Sequence, residues 1–189
     1  MSTALHPPSV PDSPAPGSPT TGPARRRALA GRAPARPTAP AAIHSISAAT
    51  AVLLSLVAIG AALHEPILIP PLAASAALVH SAPALPLAQP RGVVIGHMLG
   101  AAVGYGVLAA AGSSAWGAAV AAGVTLALVT AARTPHSPAC ATAVVVVLQA
   151  PTAARFVPLL FGSTVLIVLT GYAASRVRRK APRYPAYWW

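Results

Sequence analysis

Charged residues are scarce in this chain, and acids are almost missing. Only 8% of the 189 residues are charged, and two of them are Asp or Glu against 13 Lys or Arg. A soluble domain of this size carries about 25% charged residues, so the composition excludes an ordinary soluble fold. Hydrophobic residues make up 55% of the chain, and its mean hydropathy is +0.65. The sequence therefore predicts an all-α integral membrane protein, with the lipid bilayer as its first partner.

The chain also lacks the side chains that enzymes and metal sites need. Its single cysteine, Cys140, excludes an intramolecular disulfide, and no Cys/His spacing typical of a structural metal site occurs. The apolar region holds one carboxylate, Glu65, and neither a Ser/His/Asp set nor a Gly-rich phosphate loop. We therefore expect no catalytic residue, no metal and no cofactor. The net charge of +11 does not indicate nucleic acid, because the basic residues flank apolar spans.

Most of the positive charge lies in two tails. Residues 1–40 contain 10 prolines, five arginines and almost no large apolar residue, so they are predicted to be disordered. A secretory signal is excluded because the apolar run begins only at Ala41, and an organellar transit peptide remains open. Residues 179–189 form a basic and aromatic tail. Its Tyr and Trp side chains suit the headgroup region, and a loose tail is the alternative.

Residues 41–178 form a predicted transmembrane domain of six apolar segments. Four of them approach the length that spans about 30 Å of hydrocarbon, whereas the second and fifth are broken by proline and cover about half of it. The stretch 152–156 is predicted to be a loop. The segments are Ala41–Leu63, Ile67–Ala82 (broken at Pro70-Pro71), Gly92–Ala111, Ala115–Ala132, Pro138–Ala150 and Val157–Ser175.

The two broken segments share a sequence pattern. Pro71 and Pro138 each begin a Pro-x-x-Ala-[Ser/Thr]-Ala stretch that leads into an apolar run. Proline fits the first turn of a helix, so each copy predicts a helix start inside the membrane. Segments one to three and four to six then both follow the order full, broken, full. An odd number of spans per unit reverses the orientation, which predicts an inverted 3+3 repeat as in many transporters.

Two topologies compete. Six spans place Arg91 and Arg133 on the side of both tails, with only Arg155 opposite, whereas four spans with two re-entrant loops place all three arginines opposite. The positive-inside rule favours six spans with both termini cytoplasmic. The expected location is the cell membrane, and a plastid envelope is the alternative.

Four glycines in the third segment follow one another at four-residue spacing. They share one helix face and allow another backbone to approach closely, in the same chain or in a neighbouring copy. This face predicts helix packing and leaves a homo-oligomer open. The glycines are Gly92, Gly96, Gly100 and Gly104.

Three stretches in one order resemble the HPP family of small integral membrane proteins. Pro71–Ser75 is similar to the family's Pro-Phe-Gly-Ala-Ser stretch. Pro86–Arg91 followed by Gly96-His97 is similar to its Ala-Gln-Pro-Arg-x-x-x-x-Gly-His run. Thr134–Ala143 resembles the stretch with the naming His-Pro-Pro-Ala-Gly-Ala-Thr-Ala. The resemblance covers residues 43–178 and extends the prediction to a transporter or channel for a small anion, since some plant and cyanobacterial members are regarded as nitrite transporters.

The chain departs from the family pattern at three positions. Ser137 stands where the family has its first proline, and it could cap the helix start. Cys140 and Ala73 stand where the family has glycine. The larger side chains narrow the space beside the backbone, which affects the identity of the ligand more than the fold.

Five residues near the broken segments are candidate ligand-binding residues. Ser75 and Thr142 are matched hydroxyls that either bond to the carbonyl one turn back or face a central site. Arg133 and His136 precede the fifth segment, where ionisable groups near the membrane are functional candidates, although a plain cytoplasmic loop is the alternative. Ser137 completes the set.

Two other ionisable residues are interpreted as structural. His97, alone on its helix, is interpreted as a packed, hydrogen-bonded residue. Glu65 lies at a span end and is interpreted as an interfacial cap.

Helix N-termini supply the predicted mechanism. A helix N-terminus carries roughly half a positive charge and free N–H donors, so two starts at Pro71 and Pro138 that meet centrally would bind an anion. A cation route over broken-helix carbonyls is a second mechanism. A non-transporting scaffold or accessory subunit assembled through the glycine face is the alternative function.

Overall fold

The computed structural model describes residues 36–177 and 183–188. Within them it has six α-helices, one 3₁₀ turn at Pro86–Ala88 and no strand, so the all-α membrane fold is confirmed. The tail predicted to be disordered, residues 1–40, lies outside the described residues as far as residue 35. At its end the prediction is wrong, since Ala39 and Pro40 begin the first helix. The helices are α1 (Ala39–Leu63), α2 (Pro70–Ser81), α3 (Pro90–Ala111), α4 (Ala115–Ala131), α5 (Pro138–Gln149) and α6 (Ala153–Val177).

Three of these helices are long and apolar enough to cross a membrane. They are α1 with 25 residues, α3 with 22 and α6 with 25. The apolar helices α4 and α5 are shorter, with 17 and 12 residues, and α2 also has 12. At 1.5 Å per residue, the 12-residue helices cover about 18 Å. The number of spans, the inverted repeat and the position of the termini stay predictions.

Proline marks the helix starts. Pro70 and Pro71 occupy the first two positions of α2, and Pro138 is the first residue of α5. Their fixed φ suits the first turn, and the N–H that they lack has no partner inside the helix there. The broken helices therefore begin where the sequence predicts, one residue earlier in the case of α2.

The predicted loop at residues 152–156 is wrong. The carbonyl of Thr152 accepts from the N–H groups of Arg155 and Phe156 at 3.1 and 2.9 Å, which begins α6 at Ala153. Pro158 lies inside this helix. Ala153 and Ala154 are strong helix formers, so the helix extends back past the proline at the loss of one backbone hydrogen bond.

The glycine face of α3 packs against α5 of the same chain. A Cβ added at Gly100 would collide with the carbonyl oxygen of Ala139, and one at Gly104 would lie 2.7 Å from the Cβ of Val146. Such a close approach of two helices needs glycine, since any side chain would separate them.

A similar glycine–valine contact joins α6 and α2. A Cβ at Gly171 on α6 would collide with the side chain of Val79 on α2. The sequence separation from Gly104 to Gly171 equals that from Val79 to Val146 and from Pro71 to Pro138. The α3–α5 and α6–α2 contacts therefore lie at matching sequence positions.

Candidate functional site

Four buried polar side chains meet where the broken helices cross α3. We call Ser75, His97, His136 and Thr142 the central cluster; each is at most 1% exposed. Ser75 comes from α2, His97 from α3, Thr142 from α5, and His136 from the turn before α5. Such a group inside an apolar membrane fold is costly to bury unless every polar atom has a partner.

Ser75 joins the two imidazoles. Its Oγ lies 2.8 Å from Nε2 of His97 and 2.8 Å from Nε2 of His136, and the two Nε2 atoms are 3.2 Å apart. The same hydroxyl lies 3.0 Å from the carbonyl oxygen of Pro71, one turn back. Both alternatives predicted for Ser75, a bond to its own helix and a place facing a central site, therefore hold together.

The backbone fixes the tautomer of His136. Its Nδ1 lies 2.7 Å from the carbonyl oxygen of Leu87, in the 3₁₀ turn between α2 and α3. A carbonyl only accepts, so Nδ1 must carry the hydrogen. The Nε2 of a neutral His136 is then a bare acceptor that faces Ser75 and His97.

The remaining bonds follow from this assignment. The one hydroxyl hydrogen of Ser75 goes either to the carbonyl of Pro71 or to Nε2 of His136. In both cases Nε2–H of His97 is the donor that remains for the contacts with Ser75 and His136. Nδ1 of His97 then accepts from Thr142 Oγ1 at 2.6 Å, which is a better bond than that of Thr142 to the carbonyl of Pro138 at 3.5 Å. The uncharged cluster is fully hydrogen-bonded.

Glycine makes room for the second imidazole. A Cβ at Gly96 would lie 3.0 Å from the Cβ of His136, and one at Gly92 would lie 3.0 Å from the carbonyl oxygen of Pro135. Contacts this short are tighter than most that real Cβ atoms make, so the glycines of α3 leave the room in which His136 lies beside His97. The glycines of α3 that allow α5 to approach are therefore also the residues that make room for the central cluster.

Three of the five predicted ligand-binding residues lie in the cluster, and two do not. Arg133 and Ser137 are exposed. Arg133 adopts a left-handed backbone conformation with a φ of 55°, and the Ser137 side chain makes no capping hydrogen bond at the start of α5. Neither contributes to the central polar group.

His97 is the member that sequence reasoning missed. The residue was interpreted as a lone packed histidine, and its partners are 22, 39 and 45 positions away in the chain. One signal was available, since His97 directly follows Gly96 on the glycine face. The contact between His136 and the carbonyl of Leu87 could not be predicted from the sequence, because every residue has a backbone carbonyl.

The helix starts do not offer the free N–H donors that were predicted. In α2, the N–H groups of Leu72 and Ala73 both donate to the carbonyl of Ile69, at 3.0 and 3.3 Å. In α5, Ala139 donates to His136 at 3.0 Å and Cys140 donates to Ser137 at 3.1 Å. The prolines before them have no N–H. Hydrogen-bond donors at the centre therefore come from side chains.

Two cavities lie at the two ends of α2. The Glu65 cavity, near its start, is lined by Glu65, Pro70, Leu72 and Arg155 among others, and the His80 cavity, near its end, by His44, Val79, His80 and Tyr184 among others. Each has a volume of about 380 Å³.

The central cluster lies between these cavities along α2. Leu72, Ser75 and Val79 follow one another at helical spacing, so they share one face of the helix. Leu72 lines the Glu65 cavity and Val79 lines the His80 cavity, and both residues are 1% exposed. Each cavity is thus separated from Ser75 by one turn of α2.

The end of the chain is anchored to the turn that holds His136. The Gln89 side chain accepts from the N–H groups of Ala186 and Tyr187 at 2.9 and 3.3 Å, and it donates to the carbonyls of Pro83 and Leu85. Tyr184 is 1% exposed and packs on Gly171. Residues 183–188 therefore form neither a loose tail nor, at Tyr184, a headgroup anchor.

The described residues bring together no group of three or more His, Cys, Asp or Glu side chains that could hold a metal ion. The two imidazoles and two hydroxyls offer hydrogen-bond donors and acceptors, together with two titratable nitrogens. The arrangement can bind a small polar ligand and exchange protons with it.

Comparison with known proteins agrees with this architecture. Residues 34–185 match the family model described as HPP, transmembrane region. Two transmembrane proteins of Dictyostelium discoideum are similar: one is 37% identical over 126 residues, the other 33% identical over 132 residues. The alignments cover 62% and 65% of this chain but only 40% and 46% of the relatives, so the chain spans less than half of their length. No solved structure matches significantly. The match over most of the chain shows that this integral membrane protein belongs to the HPP transmembrane family.

Proposed function

We propose that this protein carries a small anion such as nitrite across the membrane, and that the central cluster is its binding site. The observation that carries the proposal is a buried group of two imidazoles and two hydroxyls on the α2 face between two cavities. Ionisable residues inside a membrane domain are expensive to keep and typically mark ligand or ion pathways. No catalytic role is proposed for the cluster.

The charges around the cluster favour an anion over a cation. Glu65 is the only acid among the described residues, and its carboxylate forms an ion pair with Arg155 at 2.8 Å in the Glu65 cavity. The cluster itself has no carboxylate to repel an anion or bind a metal cation. Its imidazoles and hydroxyls are donors to an anion once their internal bonds open.

The proposed route follows one face of α2. An anion enters one cavity, passes Leu72 or Val79, binds beside Ser75, and leaves through the other cavity. Since a single helical turn separates Ser75 from each cavity, small shifts of α2 suffice to open one side at a time. This is an alternating-access route around a central site.

The scaffold alternative has lost its main support. It relied on the glycine face of α3 as a surface for assembly, and α5 of the same chain occupies that face. A homo-oligomer, if one forms, would use other surfaces. We retain the cell membrane with cytoplasmic termini as the proposed location, and the plastid envelope as the alternative.

Anion flux in liposomes tests the proposal. Purified protein should move nitrite faster than protein-free vesicles, with nitrate, formate and chloride as the comparison set. Ser75→Ala and Thr142→Val should each lower the flux severalfold, because each removes a hydroxyl from the cluster.

Two matched controls separate the site from general damage. Ser55→Ala on α1 and Thr130→Val on α4 remove exposed hydroxyls that bond only to their own helix, at 2.9 and 2.7 Å. Both should retain wild-type flux. If wild-type protein moves none of the four anions, transport of these anions is refuted; if the cluster variants match the controls, the site is wrong.

A further inference from the structure

We propose that each anion crosses together with one proton, which the His97–His136 pair takes up on one side and releases on the other. This inference rests on the proposed function and adds its coupling ion. It follows from the hydrogen-bond pattern of the uncharged cluster.

The uncharged cluster has no donor left for an anion. The Nδ1–H of His136 is committed to the carbonyl of Leu87. The hydroxyl of Thr142 is committed to Nδ1 of His97, and Nε2–H of His97 and the hydroxyl of Ser75 are committed inside the cluster. An anion that arrived at this state would meet the bare Nε2 lone pair of His136. The uncharged cluster therefore excludes it.

One added proton gives the cluster a donor for the anion. The vacant position is Nε2 of His136, since the other ring nitrogen without hydrogen, Nδ1 of His97, already accepts from Thr142. Once it is protonated, two N–H groups face each other across 3.2 Å. The acceptor that they share is Ser75 Oγ, whose hydrogen can turn to the carbonyl of Pro71. An anion that takes over this shared position accepts from both rings and also balances the added positive charge. The proton comes from water in one cavity and returns to water in the other, and no bond within the anion changes.

The proton needs a counter-charge that the described residues around the pair do not supply. The titratable or charged groups on the elements around the pair are His80 on α2, Arg91 and Tyr105 on α3, Cys140 on α5, Arg133 before it, and Arg155, Tyr172 and Arg176 on α6. Arg91 donates to the carbonyl of Ala132 and Tyr105 to that of Pro151. None of these groups is an acid, and Glu65 is paired with Arg155. The transported anion is therefore the counter-ion of the protonated pair.

Electrostatics fixes the ratio at one to one. A lone anion or a lone imidazolium is costly in a low-dielectric interior, whereas together they are neutral. A second proton would place two positive rings in contact, with their centroids 4.9 Å apart, and each like charge disfavours the other. Loaded and empty clusters thus have the same net charge.

The test is a coupling measurement on the full-length protein in liposomes. Nitrite accumulation and internal pH are followed together, with potassium and valinomycin setting the membrane potential and protein-free vesicles giving the background. We expect about tenfold accumulation per unit of pH difference and no response to voltage. An anion moving alone would instead accumulate roughly 50-fold at 100 mV.

The outcomes distinguish this inference from the function it deepens. Nitrite flux that follows voltage and carries no proton overturns the coupling and leaves transport intact. Absence of nitrite flux in wild-type protein overturns both. His136→Gln and His97→Gln should abolish the proton movement, whereas His64→Gln, at the exposed end of α1, should retain it. The wild-type measurement alone decides whether a proton accompanies the anion. The proposal can therefore be refuted even if the histidine variants fail to fold.

Discussion

The α5–α3 crossing and the α2–α6 crossing share a framework and differ in chemistry. Gly104 meets Val146 in the first, and Gly171 meets Val79 at the matching position in the second. The sequence position that matches His97 is occupied by Thr164, and the one that matches His136 by Ile69. Thr164 is buried, and its hydroxyl donates to the carbonyl of Phe161 in its own helix. The same Gly–Val contact thus occurs at two crossings, and the titratable pair occurs at one of them.

The largest expected effect comes from the glycine at the closest approach. Gly100→Ala should reduce folded yield in detergent sharply, and Gly100→Leu should abolish it, because even a Cβ would collide with the backbone of Ala139. Overpacking typically costs about 1–3 kcal/mol and occasionally more. The cost at Gly100 exceeds this range, because the colliding atom belongs to a helix backbone that cannot move aside without separating α3 from α5. Gly106→Ala is the control, since nothing lies within 4 Å of its added Cβ. Equal yields of all three variants would show that the helices are not held at this distance.

Gly171→Ala should be milder than Gly100→Ala. Its Cβ would meet a methyl group of Val79, which can move, rather than a backbone oxygen. The double variant Gly171→Ala/Val79→Ala should restore thermal stability in detergent. A double variant less stable than Gly171→Ala alone would contradict the contact.

The next effect concerns the buried phenol of the tail. Tyr184→Ala should lower stability by about 3–5 kcal/mol, as for other large buried side chains, and should expose the bond after Arg183 to trypsin. Tyr184→Phe should leave stability unchanged or higher, because no partner for the phenol oxygen lies among the described residues and burial raises its pKa. A lower melting temperature for the Phe variant would refute this placement of the ring.

The smallest effect belongs to the ion pair in the Glu65 cavity. Arg155 is 76% exposed, and exposed pairs contribute less than about 1 kcal/mol. Arg155→Gln should therefore leave the melting temperature nearly unchanged. A change in nitrite affinity without a change in stability would assign Arg155 to anion capture at the cavity mouth, whereas a large loss of stability would show that the pair is structural.

Sequence patterns predicted the features that depend on neighbouring residues. Prolines located the two broken helices to within a residue, and the four-residue spacing of glycine marked the packing face of α3. These signals work because proline restricts its own backbone and because a helix brings every fourth residue to nearly the same side.

Long-range partners could not be predicted in the same way. The Leu87 carbonyl that fixes His136, and the docking of residues 183–188 on Gln89, depend on how separate helices meet. The prediction that the helix starts offer free N–H donors to an anion is wrong for the same reason, because it depended on how the turns before them fold. Their N–H groups bond to the carbonyls of Ile69, His136 and Ser137, which only the folded turn brings into range.

The most direct test of the central claim compares the two crossings in one assay. Nitrite flux in liposomes is measured for Ser75→Ala/Thr142→Val, which strips the hydroxyls from the central cluster, and for Ser163→Ala/Thr164→Val, which strips buried hydroxyls from α6. The hydroxyls of α6 bond to their own helix at 2.7 and 2.8 Å. We predict that the first variant loses most of its flux while the second keeps the wild-type rate. Equal rates in the two variants would contradict a transport site at the central cluster.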